Sequence, residues 1–259
     1  MNKPKLLVLS FLLVLVSLPA ISMAQLRPDL MYCGSSSRTG ANLYTGLESL
    51  NAVNSCDPTA NTQAMLVTRS GMNLIGGKGA ALLAYLNAGG VIITEHDSSN
   101  NVYNEIYGTA YVDGVWTGDC QDNTMPAVKL NPAHAFWQAN TGLMETPGNL
   151  EGCGRDLTAL VNGEAEVTAL GAWTGPTGVN FAIRPQQAGV LFLVDADWQD
   201  NEQNYTVDSK NFMSSLISGG TFAVGGPPAP TIPVPSMTAW GLVLLAFGML
   251  LLARRRISS

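Results

Sequence analysis

Basic residues are scarce. The 259-residue chain holds thirteen Lys and Arg against nineteen Asp and Glu, and only two His. Five of the cations stand at the two ends: Lys3, Lys5, Arg254, Arg255 and Arg256. The stretch between them carries eight cations against nineteen anions, a net charge of −11. Nucleic-acid binding requires clustered Lys and Arg, and this composition excludes it. An acidic surface suits a solvated domain, or one that meets cations. No CxxC occurs, which excludes a zinc ribbon and a thioredoxin-type redox motif. "GGKG" (Gly76 to Gly79) lacks the full Walker spacing and its Ser/Thr, so a phosphate cradle is not expected. There is no G-x-S-x-G elbow to support a serine nucleophile, and no internal repeat.

The ends speak of export. Lys3 and Lys5 precede the apolar run Leu6 to Leu18, and Ser22-Met23-Ala24 offers small residues for cleavage before Gln25. That order predicts a signal peptide over 1–24, removed by signal peptidase; the alternative is an uncleaved N-terminal anchor. At the other end, "GGPPAPTIPVP" (Gly225 to Pro235) is a proline-rich spacer. Met237 to Ala253 is 17 residues of mostly apolar character, about 25 Å as a helix, a little less than a hydrocarbon core of roughly 30 Å. Arg254, Arg255 and Arg256 follow directly, and Trp240 stands at the opposite end. The positive-inside rule holds the arginines in the cytoplasm and faces the preceding domain outward.

"VPSMTAWG" (Val234 to Gly241) resembles the signature of the IPTL-CTERM sorting signals, relatives of the PEP-CTERM signals. Val234-Pro235 stands for Ile-Pro, Ser236-Met237 for Thr-Leu, and Trp240-Gly241 matches outright, whereas Ala239 replaces the usual Glu. The resemblance implies recognition by an exosortase-type membrane protease, cleavage near the motif and transfer to the cell envelope. The alternative is a plain single-pass anchor that holds the domain on the outer face of the inner membrane. The expected organisation is a signal peptide (1–24), an exported domain (25–224), a linker with the sorting motif (225–236), a transmembrane helix (237–253) and a basic tail (254–259).

Cys33, Cys56, Cys120 and Cys153 are an even count in an exported chain, where disulfides are the default. Three pairings are open. Neighbour pairing, Cys33–Cys56 and Cys120–Cys153, is preferred because each closes a modest loop.

In the central domain apolar runs alternate with helical patterns. Asp29 to Ser35, Ala64 to Ser70 and Val91 to Glu95 read as strands. Ala41 to Val53, with Leu43, Leu47 and Leu50 on one face, reads as a helix. Gly77 to Gly90 is a helix ended by a glycine pair, and Asn101 to Gly108 is another. The second half is richer in strands: Glu166 to Trp173, Val179 to Pro185 and Gly189 to Trp198, then a helix over Asp208 to Ser218. The pattern predicts an α/β fold, mainly a parallel sheet with helices on both faces. "AYLNAGGVIITE" and "GVLFLVDADWQDNE … KNFMSSLI" resemble the class I glutamine amidotransferase-like fold, and "NPAHAFWQANTGL" (Asn131 to Leu143) is faintly similar to a segment of it. That family needs a cysteine on a G-x-C-x-G elbow. Here the central strand is followed by "HDSSNN", and the one Gly-Cys-Gly, around Cys153, has Glu151 and Arg155 in the outer positions. The family's activity is therefore not expected, and Cys153 reads as half of a disulfide.

Three places could carry function. Glu95, His96 and Asp97 stand just past a central strand, where α/β sheets bind ligands. His96 with Ser98 or Ser99 offers a base and a nucleophile; against it, adjacent residues at a strand end point in different directions. Asp195, Asp197, Asp200 and Glu202 form an acidic run in which Asp195 and Asp197 share a strand face, a candidate for Ca²⁺, but the EF-hand spacing fails. His134 stands in a helical stretch among Ala133, Ala135 and Phe136 and reads as structural. The favoured reading is an exported envelope protein whose α/β domain binds a ligand or serves as a surface component. The rivals are an envelope hydrolase using Glu95, His96 and Asp97, and a calcium-stabilised adhesive module using Asp195 to Glu202.

Overall fold

The computed structural model describes residues 26–34, 44, 46–117, 128–143, 154–172, 178–195 and 207–219. Its strands are β1 (Asp29–Cys33), β2 (Asn51–Asn54), β3 (Thr62–Val67), β4 (Val91–Thr94), β5 (Trp116–Thr117), β6 (Val128–Lys129), β7 (Gly154–Arg155), β8 (Thr168–Ala172), β9 (Phe181–Gln186) and β10 (Gly189–Val194). Its helices are α1 (Gly79–Asn87), α2 (Ser98–Tyr107), α3 (Ala135–Ala139), α4 (Thr158–Gly163) and α5 (Val207–Ile217), with a 3-10 turn over Arg69–Asn73.

Eight strands form one sheet in the order β2-β1-β3-β4-β10-β9-β8-β6. The run from β2 to β10 is parallel, and the run from β10 to β6 is antiparallel. The sheet is thus mixed rather than mainly parallel. The cause is local: β9 and β10 are separated by only Gln187 and Ala188, and a two-residue connection forces an antiparallel pair. Gln187 takes a positive φ of 47° in that turn.

Strand alternation divides the apolar residues into two cores, one on each face. Leu30, Tyr32, Leu66, Ile93, Phe192 and Val194 face one side, where α3 and α5 bring Phe136, Trp137, Phe212, Met213 and Leu216. Met31, Cys33, Met65, Val67, Ile92 and Leu193 face the other, against Leu82 and Leu86 of α1, Val102 and Ile106 of α2, and Leu160 of α4. Helices therefore cover both faces, as a sheet with buried parallel strands requires. On the first face Phe136, Phe181 and Phe212 meet edge to face at centroid separations of 5.2 to 6.2 Å, a favoured aromatic geometry. On the second, the Arg184 guanidinium lies 3.5 Å from the centre of the Tyr107 ring and 3.7 Å from Glu164, so this inner cation is matched on two sides.

The predicted strands and helices recur with shifted ends, with one exception. The expected helix Ala41 to Val53 ends instead in an edge strand, β2, paired in parallel with β1. Residues 46–50 lie in turns, where Leu47 and Leu50 still reach the core. His134 caps α3 rather than lying within it: its Nδ1 accepts from the Phe136 N–H at 3.1 Å. Among the described residues no helix is long and apolar enough to cross a membrane. The expected signal peptide (1–24), the stretch Val234 to Gly241 expected to act in sorting, and the expected transmembrane segment Met237 to Ala253 with Arg254 to Arg256 lie outside them.

A disulfide joins Cys33, at the end of β1, to Cys56, just beyond β2, across 23 residues of sequence. This is the first of the two expected neighbour pairs; Cys120 and Cys153 lie outside the described residues. Closing a loop of this size in the unfolded chain stabilises the fold by about 3 kcal/mol. The Cys33→Ser/Cys56→Ser double variant is expected to lose that amount in urea unfolding, with a steeper denaturant slope because the unfolded chain, freed of the cross-link, exposes more surface.

Candidate functional site

Three adjacent parallel strands, β3, β4 and β10, end at the same edge of the sheet. Their continuations are Thr68-Arg69, Glu95-His96-Asp97 and Asp195. All three strands are fully buried apart from Gln63, so the polar residues that follow them begin inside the protein. Ligands of open α/β sheets bind beyond such carboxyl ends.

The turn from β4 into α2 is tied by its own serines. The Glu95 N–H donates to Ser98 Oγ at 2.9 Å, and Ser98 Oγ returns a hydrogen bond to the Glu95 carbonyl at 2.5 Å. Ser99 Oγ sits 2.8 Å from Thr94 Oγ1, and Thr94 Oγ1 accepts from the Val194 N–H at 2.9 Å, which locks β4 to β10. Between these ties His96 is held at φ 48°. A left-handed backbone at a non-glycine residue costs on the order of 1–3 kcal/mol and persists only where its surroundings impose it.

That turn overrides strand geometry. The side chains of His96 and Asp97, expected to diverge, meet: His96 Nδ1 lies 2.7 Å from Asp97 Oδ1. The left-handed residue reverses the chain, and α2 starts at once, so the two side chains swing to one side. Asp97 is also 3.4 Å from Arg69 Nε and 3.7 Å from Arg155 Nε. Glu95 Oε2 accepts from the Arg69 backbone N–H at 2.9 Å. Glu95, His96 and Asp97 are 1%, 3% and 8% exposed, and charges so buried are tolerated only when paired.

Asp195 joins them from β10 and is fully buried. Its Oδ1 accepts from the Arg155 N–H at 2.5 Å, and its own N–H donates to the Asn180 carbonyl at 2.7 Å. Asn180 Nδ2 in turn donates to the Arg155 carbonyl at 3.1 Å. Arg155 is thus the hinge of the site, with its backbone on Asp195 and its guanidinium toward Asp97. Burial pushes the Asp195 carboxyl well above the usual carboxylate range, and the negative charges of Asp97 and Asp113 add to it. The Arg155 N–H and the Ser99 hydroxyl pull the other way.

Of the predicted site residues, Glu95, His96, Asp97 and Asp195 come together. Asp197, Asp200 and Glu202 lie outside the described residues. Among the described residues no three His, Cys, Asp or Glu side chains are grouped to hold a metal ion. Sequence reasoning missed Arg69, Arg155 and Asn180. Arg69 had a usable signal, since it follows a predicted parallel strand just as Glu95 does. Arg155 is brought in by the short antiparallel pair of β5 and β7, which has no signature in sequence. No protein-family model and no curated protein matches the chain.

The Asp195 shift has a consequence for stability. A carboxyl whose folded pKa is raised keeps its proton in the native state while the unfolded chain loses it. Stability therefore falls as pH rises from the ordinary carboxylate range to the raised folded value, and is level above it. Asp195→Asn removes this dependence while its amide oxygen can still accept from the Arg155 N–H. Thermal unfolding followed across pH is expected to show the variant gaining on the native protein as pH rises from about 4 toward neutrality. Parallel curves would contradict the assignment.

Proposed function

We propose that this chain is an exported cell-envelope protein whose α/β domain binds a small polar ligand at the carboxyl edge of its sheet. One observation carries the binding reading: three strand ends converge to build a buried polar cluster around a strained, non-glycine turn. A cluster needed only for folding would be cheaper if replaced by apolar residues. The signal-like N-terminus, the spacer and the IPTL-CTERM-like motif Val234 to Gly241 support delivery to the envelope. Signal peptidase and an exosortase-type protease are the processing partners, and the C-terminal helix is the membrane contact. The strand order β2-β1-β3-β4-β10, with a late hairpin and a final helix, supports likeness to the amidotransferase-like fold. His96 occupies the strand-to-helix turn in which that family carries its cysteine, so the domain does not perform the family's chemistry.

A second reading is favoured by the 2.7 Å contact of His96 with Asp97. A carboxylate held against an imidazole is an arrangement that a general base can use. Under this reading the site hydrolyses an envelope carbohydrate or peptide. His96→Ala would then abolish turnover of such a substrate, whereas under the binding reading the native protein releases no product.

The envelope assignment is tested by mass spectrometry of the C-terminal peptide of the protein isolated from its native envelope. A terminus between Val234 and Ser236 is the expected result. An intact Ser259 would make the tail an anchor and leave the domain tethered to the inner membrane.

A further inference from the structure

The carboxyl edge of the sheet carries the polar cluster, and the opposite edge carries both ends of the described domain. Arg27, just before β1, is held there by three hydrogen bonds. Its backbone N–H donates to Gln63 Oε1 at 2.9 Å, and its guanidinium donates to the Thr62 carbonyl at 3.2 Å and to the Ala88 carbonyl, just beyond α1, at 2.9 Å. The same glutamine closes α5: Gln63 Nε2 donates to the Ile217 carbonyl at 3.1 Å. One side chain near the start of β3 thus holds both the entering and the leaving chain. Ile217 is fully buried, and Gly219 lies against Val91, the first residue of β4. The last carbonyls of a helix have no partner within it, so Gln63 and Arg27 fix this edge by bonding as well as by packing.

Direction follows from the sheet. β3 and β4 are parallel, and their far ends lead into Arg69 and into Glu95, His96 and Asp97. β3 is six residues long and spans about 20 Å, so the two chain ends and the cluster lie at opposite edges. Resting on the envelope reading above, we propose that the domain stands on the amino edge of its sheet, facing the surface that holds it. The cluster edge is then turned away, and the site takes its ligand from the aqueous side and not from membrane lipid. Every way of holding the chain leads to this edge. The spacer, the sorting motif and the apolar segment all follow Gly219, and an uncleaved N-terminal anchor would lead into Arg27. To face the membrane, the cluster would need a tether that doubles back past the sheet. The spacer Gly225 to Pro235 holds five prolines in eleven residues, a composition that extends and stiffens a chain.

The test uses the full-length chain with its tail intact, made in cells that lack the sorting protease and reconstituted into phosphatidylcholine vesicles with acceptor-labelled headgroups. A fluorescent donor is attached at one of two exposed positions, through Asn61→p-azidophenylalanine or Val112→p-azidophenylalanine. Asn61 precedes β3 at the amino edge. Val112 is 82% exposed, and its carbonyl accepts from Asn100 in the first turn of α2, which places it at the cluster edge. Energy transfer to the lipid plane should put the Asn61 donor about 20 Å nearer than the Val112 donor, the length of β3. Equal distances, or a nearer Val112, overturn the orientation and leave the membrane attachment standing. Chains that do not float with the vesicles overturn both.

Discussion

A carboxylate with only 8% of its surface exposed has to be answered by cations or polar partners, and Asp97 sets that demand at the carboxyl edge of the sheet. It is answered by two arginines and a neighbouring imidazole. Arg69 arrives from the end of β3, His96 from the residue before, and Arg155 from a two-stranded ribbon remote in sequence. Each must be held in place by something else. Glu95 accepts from the Arg69 backbone, and Asp195 accepts from that of Arg155. The cluster is therefore a closed set of mutual obligations, and removing one partner leaves another charge buried and unmatched.

The stability of the fold comes from elsewhere. Two apolar cores, the edge-to-face phenylalanines and the Cys33–Cys56 link hold the sheet and its helices together. The polar edge takes from that reserve, through a left-handed His96 and an acid desolvated beside like charges. Local strain and perturbed ionisation are features that cluster at functional sites. The serines and threonine of the β4–α2 turn are what make the strain sustainable, because they hold both backbone and neighbouring strand with short hydrogen bonds.

Much of the scaffold was legible in the sequence. The apolar runs of β3, β4 and β10 are continuous because both faces are covered, and the glycine pair after Asn87 marks the end of α1. The Ala41 to Val53 segment misled because Leu47 and Leu50 are spaced as on a helix, yet they reach the core from turns that lead into a short edge strand. The antiparallel half of the sheet followed from a two-residue connection whose direction-reversing effect was not weighed against the parallel pattern before it. At the site, the strand-end rule pointed to Glu95, His96 and Asp97. What it could not supply was direction. Strand alternation alone sends adjacent side chains apart, and only the left-handed turn at His96 brings ring and carboxylate together. Arg155 was out of reach for a different reason, since the pairing that carries it joins segments 38 residues apart with two residues each.

Burial and the charges of Asp97 and Asp113 favour the neutral acid at Asp195, whose Oδ1 accepts from the backbone N–H of Arg155. The most direct test is infrared difference spectroscopy of the full-length native protein against Asp195→Asn at neutral pH, in heavy water. The account predicts a carbonyl stretch of a protonated carboxyl that is present in the native protein and absent from the variant. A difference spectrum with only the bands of an ionised carboxylate would contradict it. Arg155 would then be shared between two anions, and the edge would be a net acidic cluster with no proton to give.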